Sequence, residues 1–384
     1  MKHIRKRILC LVAAAVLSFP VLPQNLSAAA VQAAEIVDSG TCGKAAVWSL
    51  DSGGILTVSG TGAMYGLNSQ HDIPWKEEKA QIQQVVIGAG ITSVGGQCFS
   101  DCPNLVSVSL SDTVTVIEES AFSSCKALKE IRFPDSLTRI GTMSFALCSA
   151  LTDVTIPETV ESIGSLAFSG TKWLKSEAEK TPFVIINGLL IYGPNTADTD
   201  IPAGVRCIVS NAFWGRTEIT ALTIPETVEI IEYNAFASCS GLTGVTIPES
   251  VKDLGMQAFV NCAALEKVTF LNPDCKIFNR ANTIANDNKS YSGVICGYDK
   301  STAAAYAEAY GCTFSSLGRA PGDCNFDGSR TIADAVLLAR FLSEDSALTA
   351  EQIDDILLCS PDLNADGFLT MLDIYGLLRK IYIE

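Results

Sequence analysis

The sequence predicts a β-rich solenoid with 23-residue repeats, followed by a small all-α module built on two acidic loops. Three observations predict it. Phenylalanine recurs in register at Phe99, Phe122, Phe145, Phe168, Phe213, Phe236 and Phe259, in 23-residue steps on either side of one interruption. A short strand motif leads into each coil, as in Leu128, Ile131, Phe133 and Pro134, or Leu242, Val245, Ile247 and Pro248. Two glycine-centred loops beginning at Asp323 and Asp362 then close the chain with identical internal spacing.

The N-terminus comes first. Lys2, Arg5, Lys6 and Arg7 precede an apolar run over residues 8–19, and Val31 and Ala33 supply small side chains for a peptidase site. Residues 1–33 therefore read as a signal peptide, too short to span a bilayer. The mature protein is expected to be secreted, with no membrane insertion. Its charge is formally −15, and loss of the four basic signal residues leaves 23 basic against 42 acidic residues, or −19. Such a surface repels phosphate backbones and anionic lipid, so nucleic acid is not an expected partner. The same carboxylates suit a hard cation. Of two histidines only His71 lies beyond the signal, which excludes histidine triads and multi-histidine zinc sites.

In the repeats, the L-x-x-L-x-L spacing puts three alternate side chains on one face of a short strand. Proline after the strand removes a ladder donor and ends pairing. One such unit cannot bury its apolar face alone, so neighbours must stack. This pattern, of the form IP-x-[ST]-V-x-x-I-G-x-x-A-F-x-x-C, resembles the BspA-like leucine-rich repeats of bacterial surface and secreted proteins over residues 82–270. The resemblance implies a leucine-rich-repeat solenoid that binds an unknown protein ligand. Residues 40–81 look like the family's N-terminal cap, with two glycine-punctuated strands within 40–66. Residues 271–314 look like its closing cap, with a helix over 301–310 ended by Gly311.

Cysteines share the register: Cys102, Cys125 and Cys148 are 23 apart, as are Cys239 and Cys262. Equal register predicts a ladder of small buried thiols, one per coil, rather than disulfides. Thr171 and Arg216 hold the same place in other coils, and free thiols in an exported chain suit an anaerobic habitat. The period breaks between Leu174 and Ile219, where an inserted hairpin near 172–200 turns at Asn187 and Gly188. Trp173, Tyr192 and Trp214 lie in or beside it and are expected to seal the irregular coil, the alternative being a binding patch. Outward strand positions carry Val86, Ser109, Arg132, Thr155, Thr223, Thr246 and Thr269, good strand material without an aromatic stripe. Glu130 and Asp153, one coil apart, are read as occupying different register positions, so no facing pair of catalytic carboxylates is expected.

After a linker over residues 315–321 the pattern changes to D-x-N-x-D-G-x5-D, twice. Calcium takes oxygens from places 1, 3, 5, a carbonyl at 7 and a carboxylate at 12, with glycine at 6 for the turn. The expected ligands are Asp323, Asn325, Asp327, Ser329 and Asp334 in the first loop, and Asp362, Asn364, Asp366, Phe368 and Asp373 in the second: two calcium ions. Helices are expected over 335–342 and 374–381, with a middle helix to Leu358 opened by a capping box at Thr349 and Gln352. Loop-then-helix in tandem, with aspartate at place 12, resembles a type I dockerin over residues 322–384. The resemblance implies calcium-dependent docking to a cohesin module of a cellulosome-like scaffold. It implies partner contacts at places 10, 11 and 18: Ile332, Ala333 and Arg340, and Met371, Leu372 and Arg379. The chain is apolar at places 10 and 11, where well-known dockerins carry Ser-Thr, and has Arg330 at place 8 in place of an aliphatic residue.

The expected function is a secreted, non-catalytic binding protein, tethered by the dockerin while the repeats hold a protein ligand. The alternative is a carbohydrate-binding or carbohydrate-active subunit of the same complex. Repeats and caps fill nearly all of residues 40–314, leaving no room for a glycosidase fold.

Overall fold

A computed structural model describes residues 34–67, 71–359 and 361–382. The expected signal peptide lies outside the described residues. Every element described below belongs to one compact unit, residues 36–384.

Three antiparallel strands open it, Ile36–Thr41, Gly43–Asp51 and Ile55–Met64, one more than the glycine punctuation indicated. The third seeds two parallel sheets: its first half pairs with Gln84–Ile87 and its second with Ile91–Val94. Gly60 makes the corner between the halves. At φ +101°, a Cβ there would lie 2.1 Å from the Ala45 carbonyl oxygen, so only glycine fits. Trp75 closes the core, stacked on Phe99 at 5.1 Å with its indole N–H donated to the Cys98 carbonyl.

Beyond this cap the chain winds into a β-solenoid of about ten turns with roughly 23-residue spacing. Main strands such as Ser107–Leu110, Glu130–Arg132 and Asp153–Thr155 stack in parallel. Two-residue strands, among them Val116–Ile117, Arg139–Ile140 and Ser162–Ile163, form a second thin sheet. Leu128, Ile131 and Leu151 are buried between them, and the phenylalanine rings stack behind. Successive ring centroids are 5.3 Å apart from Phe99 through Phe145, whereas strands in a sheet are only ~4.8 Å apart.

Two residues before and two after each of these phenylalanines the backbone is left-handed, as at Gln97 and Asp101 or Asn234 and Ser238. The alternation aims every second N–H at the next coil. Phe99 donates to Ala121 and Asp101 to Ser123, both at 2.8 Å. The ladder cysteines, all buried and free, complete this seam. Cys125 and Cys148 donate to the carbonyls of Phe99 and Phe122, and Cys239 and Cys262 to those of Phe213 and Phe236. Each of these four thiols both fills the core and satisfies a buried carbonyl. Burial pushes the Cys239 thiol up to about 12 and that of Cys262 further, which leaves them unreactive.

The register of Glu130 and Asp153 corrects the sequence-based expectation. They are direct partners in neighbouring parallel strands, because their spacing equals the repeat. Both are exposed, on one solvated face rather than across a cleft.

The interruption holds a helix as well as the hairpin. Helix α1, Lys172–Lys180, is N-capped by Thr171, whose hydroxyl accepts from the Leu174 N–H. The hairpin strands Val184–Ile186 and Leu189–Tyr192 turn through left-handed Asn187 and Gly188, and the second joins the thin sheet beside Cys207–Ile208. The hairpin therefore replaces a coil rather than projecting from one. The apolar core divides at this place into two clusters.

The solenoid closes on helix α2, Thr302–Tyr310, capped by Ser301 and ended by left-handed Gly311. Strand Thr313–Ser316 then pairs with Val294–Gly297, so Ser315 and Ser316, expected in a linker, belong to the sheet. Helices α3 (Ile332–Leu342), α4 (Ala350–Leu358) and α5 (Met371–Tyr382) pack a small third core around Leu338, Ile356 and Leu377. No helix among the described residues is long and apolar enough to cross a membrane.

Candidate calcium-binding and docking site

The two acidic loops fold alike, residue for residue. In the first, Asp323 accepts the N–H groups of Asp327 and Gly328, Asn325 accepts that of Asp327, and Asp327 accepts that of Ser329. In the second, Asp362 accepts from Asp366 and Gly367, Asn364 from Asp366, and Asp366 from Phe368. Gly328 and Gly367 make the turn at φ +94° and +84°. These nested turns point carboxylate and amide oxygens into each loop.

Helices α3 and α5 begin three residues earlier than expected, which puts the place-12 aspartates inside their first turns. Asp334 accepts from the Thr331 N–H at 2.7 Å and from the Asn325 N–H, while Asp373 accepts from Thr370 and Leu363. Each aspartate thereby ties loop start to helix start. Asp323, Asp334 and Asp373 are fully buried. Burial pushes the Asp323 and Asp334 carboxyls above the usual range, and the repulsion of neighbouring carboxylates adds to it. Among the described residues no three His, Cys, Asp or Glu side chains form a compact metal cluster. The donor set of each loop is nevertheless all oxygen, with three carboxylates in it, and that chemistry fits calcium.

The expected docking positions lie on the outer faces of α3 and α5. Met371 and Leu372 are 69% and 61% exposed, flanked by exposed Phe368 and Tyr375; Ile332 is 49% exposed beside Val336. Arg340 is held by Asp345, Nε to Oδ2 at 2.6 Å, whereas Arg379 is exposed with no ion pair among the described residues. The two faces are thus similar in layout and unequal in apolar area.

Sequence reasoning missed the joint between module and solenoid. Arg330, its side chain only 7% exposed, reaches Glu249, Asp274 and Asn272 of the last coils, and Lys380 of α5 meets the same Glu249. Lys300 donates to the Phe326 carbonyl and lies 4.0 Å over its ring, with Arg319 4.1 Å from the same ring. Gly328 packs on the Lys300 backbone so closely that a Cβ would lie 2.6 Å from its carbonyl oxygen. The available signal was Arg330 itself, a cation where an aliphatic residue belongs.

The aromatic trio divides. Trp173 is buried edge-on against Phe168 and seals the coil as expected. Tyr192 is half-buried under the Arg216 guanidinium, and Trp214 is 58% exposed.

Stacked strand-and-turn coils ending in a paired-loop helical module define a repeat scaffold with a docking appendage. The sequence profile of the BspA type leucine rich repeat region matches in six copies over residues 77–183 and 184–284, and that of the dockerin type I domain matches residues 321–382. The chain belongs to the BspA type leucine rich repeat family and carries a C-terminal type I dockerin domain. Both are non-catalytic modules, and type I dockerins bind calcium. Similar solved structures include a leucine-rich repeat protein from Eubacterium ventriosum (23% identity, 68% of this chain and 79% of that one, TM-score 0.41). A second, from Bacteroides ovatus, has 19% identity over 62% of this chain and 66% of that one, TM-score 0.35. The T. pallidum leucine rich repeat protein has 24% identity over 51% and 86%, TM-score 0.29. No curated protein matches the chain.

Proposed function

We propose that this protein is a secreted, non-catalytic adaptor that docks to a cohesin through its C-terminal module while its repeats hold another protein. The observation that carries the reading is the pair of superposable loops, each followed by a helix with exposed apolar residues at places 10 and 11. One calcium would be held by Asp323, Asn325, Asp327, Asp334 and the Ser329 carbonyl, and a second by Asp362, Asn364, Asp366, Asp373 and the Phe368 carbonyl. The first ion would offset the burial and mutual repulsion that raise the Asp323 and Asp334 carboxyls. Ile332, Ala333 and Arg340, or Met371, Leu372 and Arg379, would then meet the cohesin.

A recombinant type I cohesin immobilised on a sensor surface tests this. It should capture the full chain in calcium and release it in EGTA. Capture that ignores the chelator, or none from a panel of cohesins in saturating calcium, would overturn the reading.

A further inference from the structure

Where the period breaks, the coil seam is left open. In the coils of Phe99, Phe122, Phe145, Phe213 and Phe236, the N–H groups of the phenylalanine and of both left-handed residues donate to carbonyls of the following coil. In the coil of Phe168, the equivalent groups belong to Leu166, Phe168 and Gly170, and among the described residues none of the three meets an acceptor. The ring ladder stops here too: Phe145 stacks on Phe168 and Phe213 on Phe236, but Phe168 turns to Trp173. Between the two halves lies a groove of ≈ 860 Å³ lined on one side by Leu166, Phe168 and Leu174, and on the other by Tyr192, Trp214 and Arg216.

A second observation singles out the same place. The left-handed positions are polar in most coils: Gln97, Asp101, Ser120, Ser124, Asn211, Asn234, Ser238, Gln257 and Asn261. Only in the two coils before the groove are they apolar, at Met143, Leu147 and Leu166 with φ of +51°, +61° and +55°. A branched or long apolar side chain is strained in that conformation and unfavourable in water. All three are exposed; Leu166 lines the groove, and Leu147 packs beside Gly170, which also lines it. At Leu166, strain and apolar exposure coincide in the wall of the groove, which points to a ligand. Charge narrows its nature: Lys172, Lys175 and Arg216 face the groove against the single acid Glu179, in a chain of net charge −15.

We infer that this groove binds an extended, acidic peptide segment of a partner protein, which docks along the open seam. Its alternate carbonyls accept the N–H groups of Leu166, Phe168 and Gly170, in the manner of strand addition to an open edge. An apolar side chain seats between Leu166 and Trp214, and flanking carboxylates meet Lys172 and Lys175. The site rests on the reading that the repeats bind protein, and it deepens that reading by placing the contact at the break rather than on the main sheet.

The test is a random dodecapeptide phage library panned on the full-length protein, with selected peptides then titrated by calorimetry. Selected sequences should share an apolar residue flanked by Asp or Glu. Trp214→Ala and Leu166→Asn, the latter restoring a residue suited to left-handed backbone, should each weaken binding about tenfold. Lys172→Glu with Lys175→Glu should abolish it. Bound peptide should protect the Leu166, Phe168 and Gly170 amides from hydrogen exchange. Peptides insensitive to those variants but lost in Thr246→Lys would overturn the site while sparing the protein-binding reading. No selected peptide at all, or Trp214-dependent binding confined to a neutral oligosaccharide array, would overturn both.

Discussion

Replacing Glu249 with alanine removes a carboxylate shared by Arg330 and Lys380, one from the first loop and one from the last helix. Removing one partner of a fully buried ion pair costs about 3–5 kcal/mol. Glu249 is 36% exposed on its side chain, and Arg330 retains Asp274 and Asn272. Solvent screening at that exposure discounts the loss to about 2 kcal/mol. For a module of this size each kcal/mol moves the unfolding midpoint by roughly 4–8 °C, so the module's transition should fall by about 10 °C. Scanning calorimetry of the full chain in saturating calcium reads this directly, with the solenoid transition as internal control. The effect also has a pH signature. Burial alone would raise the Glu249 carboxyl, but Lys380 and Arg330 outweigh it and hold it below the usual carboxylate range. A depressed native value means the contact is complete above the ordinary pKa of about 4.3 and is lost as pH falls through the depressed value. Wild type and variant should therefore converge in acid. An unchanged module transition in Glu249→Ala, or strict additivity of Glu249→Ala and Arg330→Ala in a double-mutant cycle, would refute the joint.

The same geometry sets three other outcomes. Residues 322–384 carry 12 acids and 4 basic groups, so folding of the module should be calcium-coupled; EDTA should lower the helical circular dichroism and calcium restore it. Thiol titration of the denatured, unreduced protein should find Cys102, Cys125, Cys148, Cys239 and Cys262 free, and mass-mapped disulfides among them would contradict the seam. Aspartate at both Met371 and Leu372 should remove most cohesin affinity, while the same change at Ile332 and Ala333 should cost less. A difference of some tens of Å² of apolar surface at ~25 cal/mol per Å² is worth about 1–2 kcal/mol, or roughly one order of magnitude. Equal losses on a cohesin sensor surface would exclude a preferred face.

The solenoid was legible because its signals are periodic. A strict phenylalanine register can only be buried by stacking coils, and the cysteines and prolines repeat the same period. The loops were legible because oxygen donors at fixed places around a glycine have few other readings. What escaped is what periodicity does not encode. Glu249 sits at an unremarkable position after Pro248, and only the fold brings it to Arg330. The helix at Lys172–Lys180 was hidden inside a break that advertised itself through Asn187 and Gly188. Trp75 takes the first step of the ring stack from outside the repeat, so counting in steps of 23 could not find it. Glu130 and Asp153 share a register position for the simplest of reasons, that their spacing is the repeat itself.

The connection between solenoid and module is nearly without slack. Strand Thr313–Ser316 is held in the sheet, the Leu317 N–H bonds the Gly297 carbonyl, and the Asp299 N–H bonds Gly318. A flexible Gly/Ser tether of n residues would let its cargo wander by ~5–6 Å × √n; here the body projects from its anchor like a bracket bolted to a wall. Whatever the repeats hold is thereby presented at a fixed bearing from the attachment point. Its local concentration at a neighbouring subunit is high where that bearing points and close to zero elsewhere. In an array of docked subunits, stiffness at this single joint would decide which neighbours could be served.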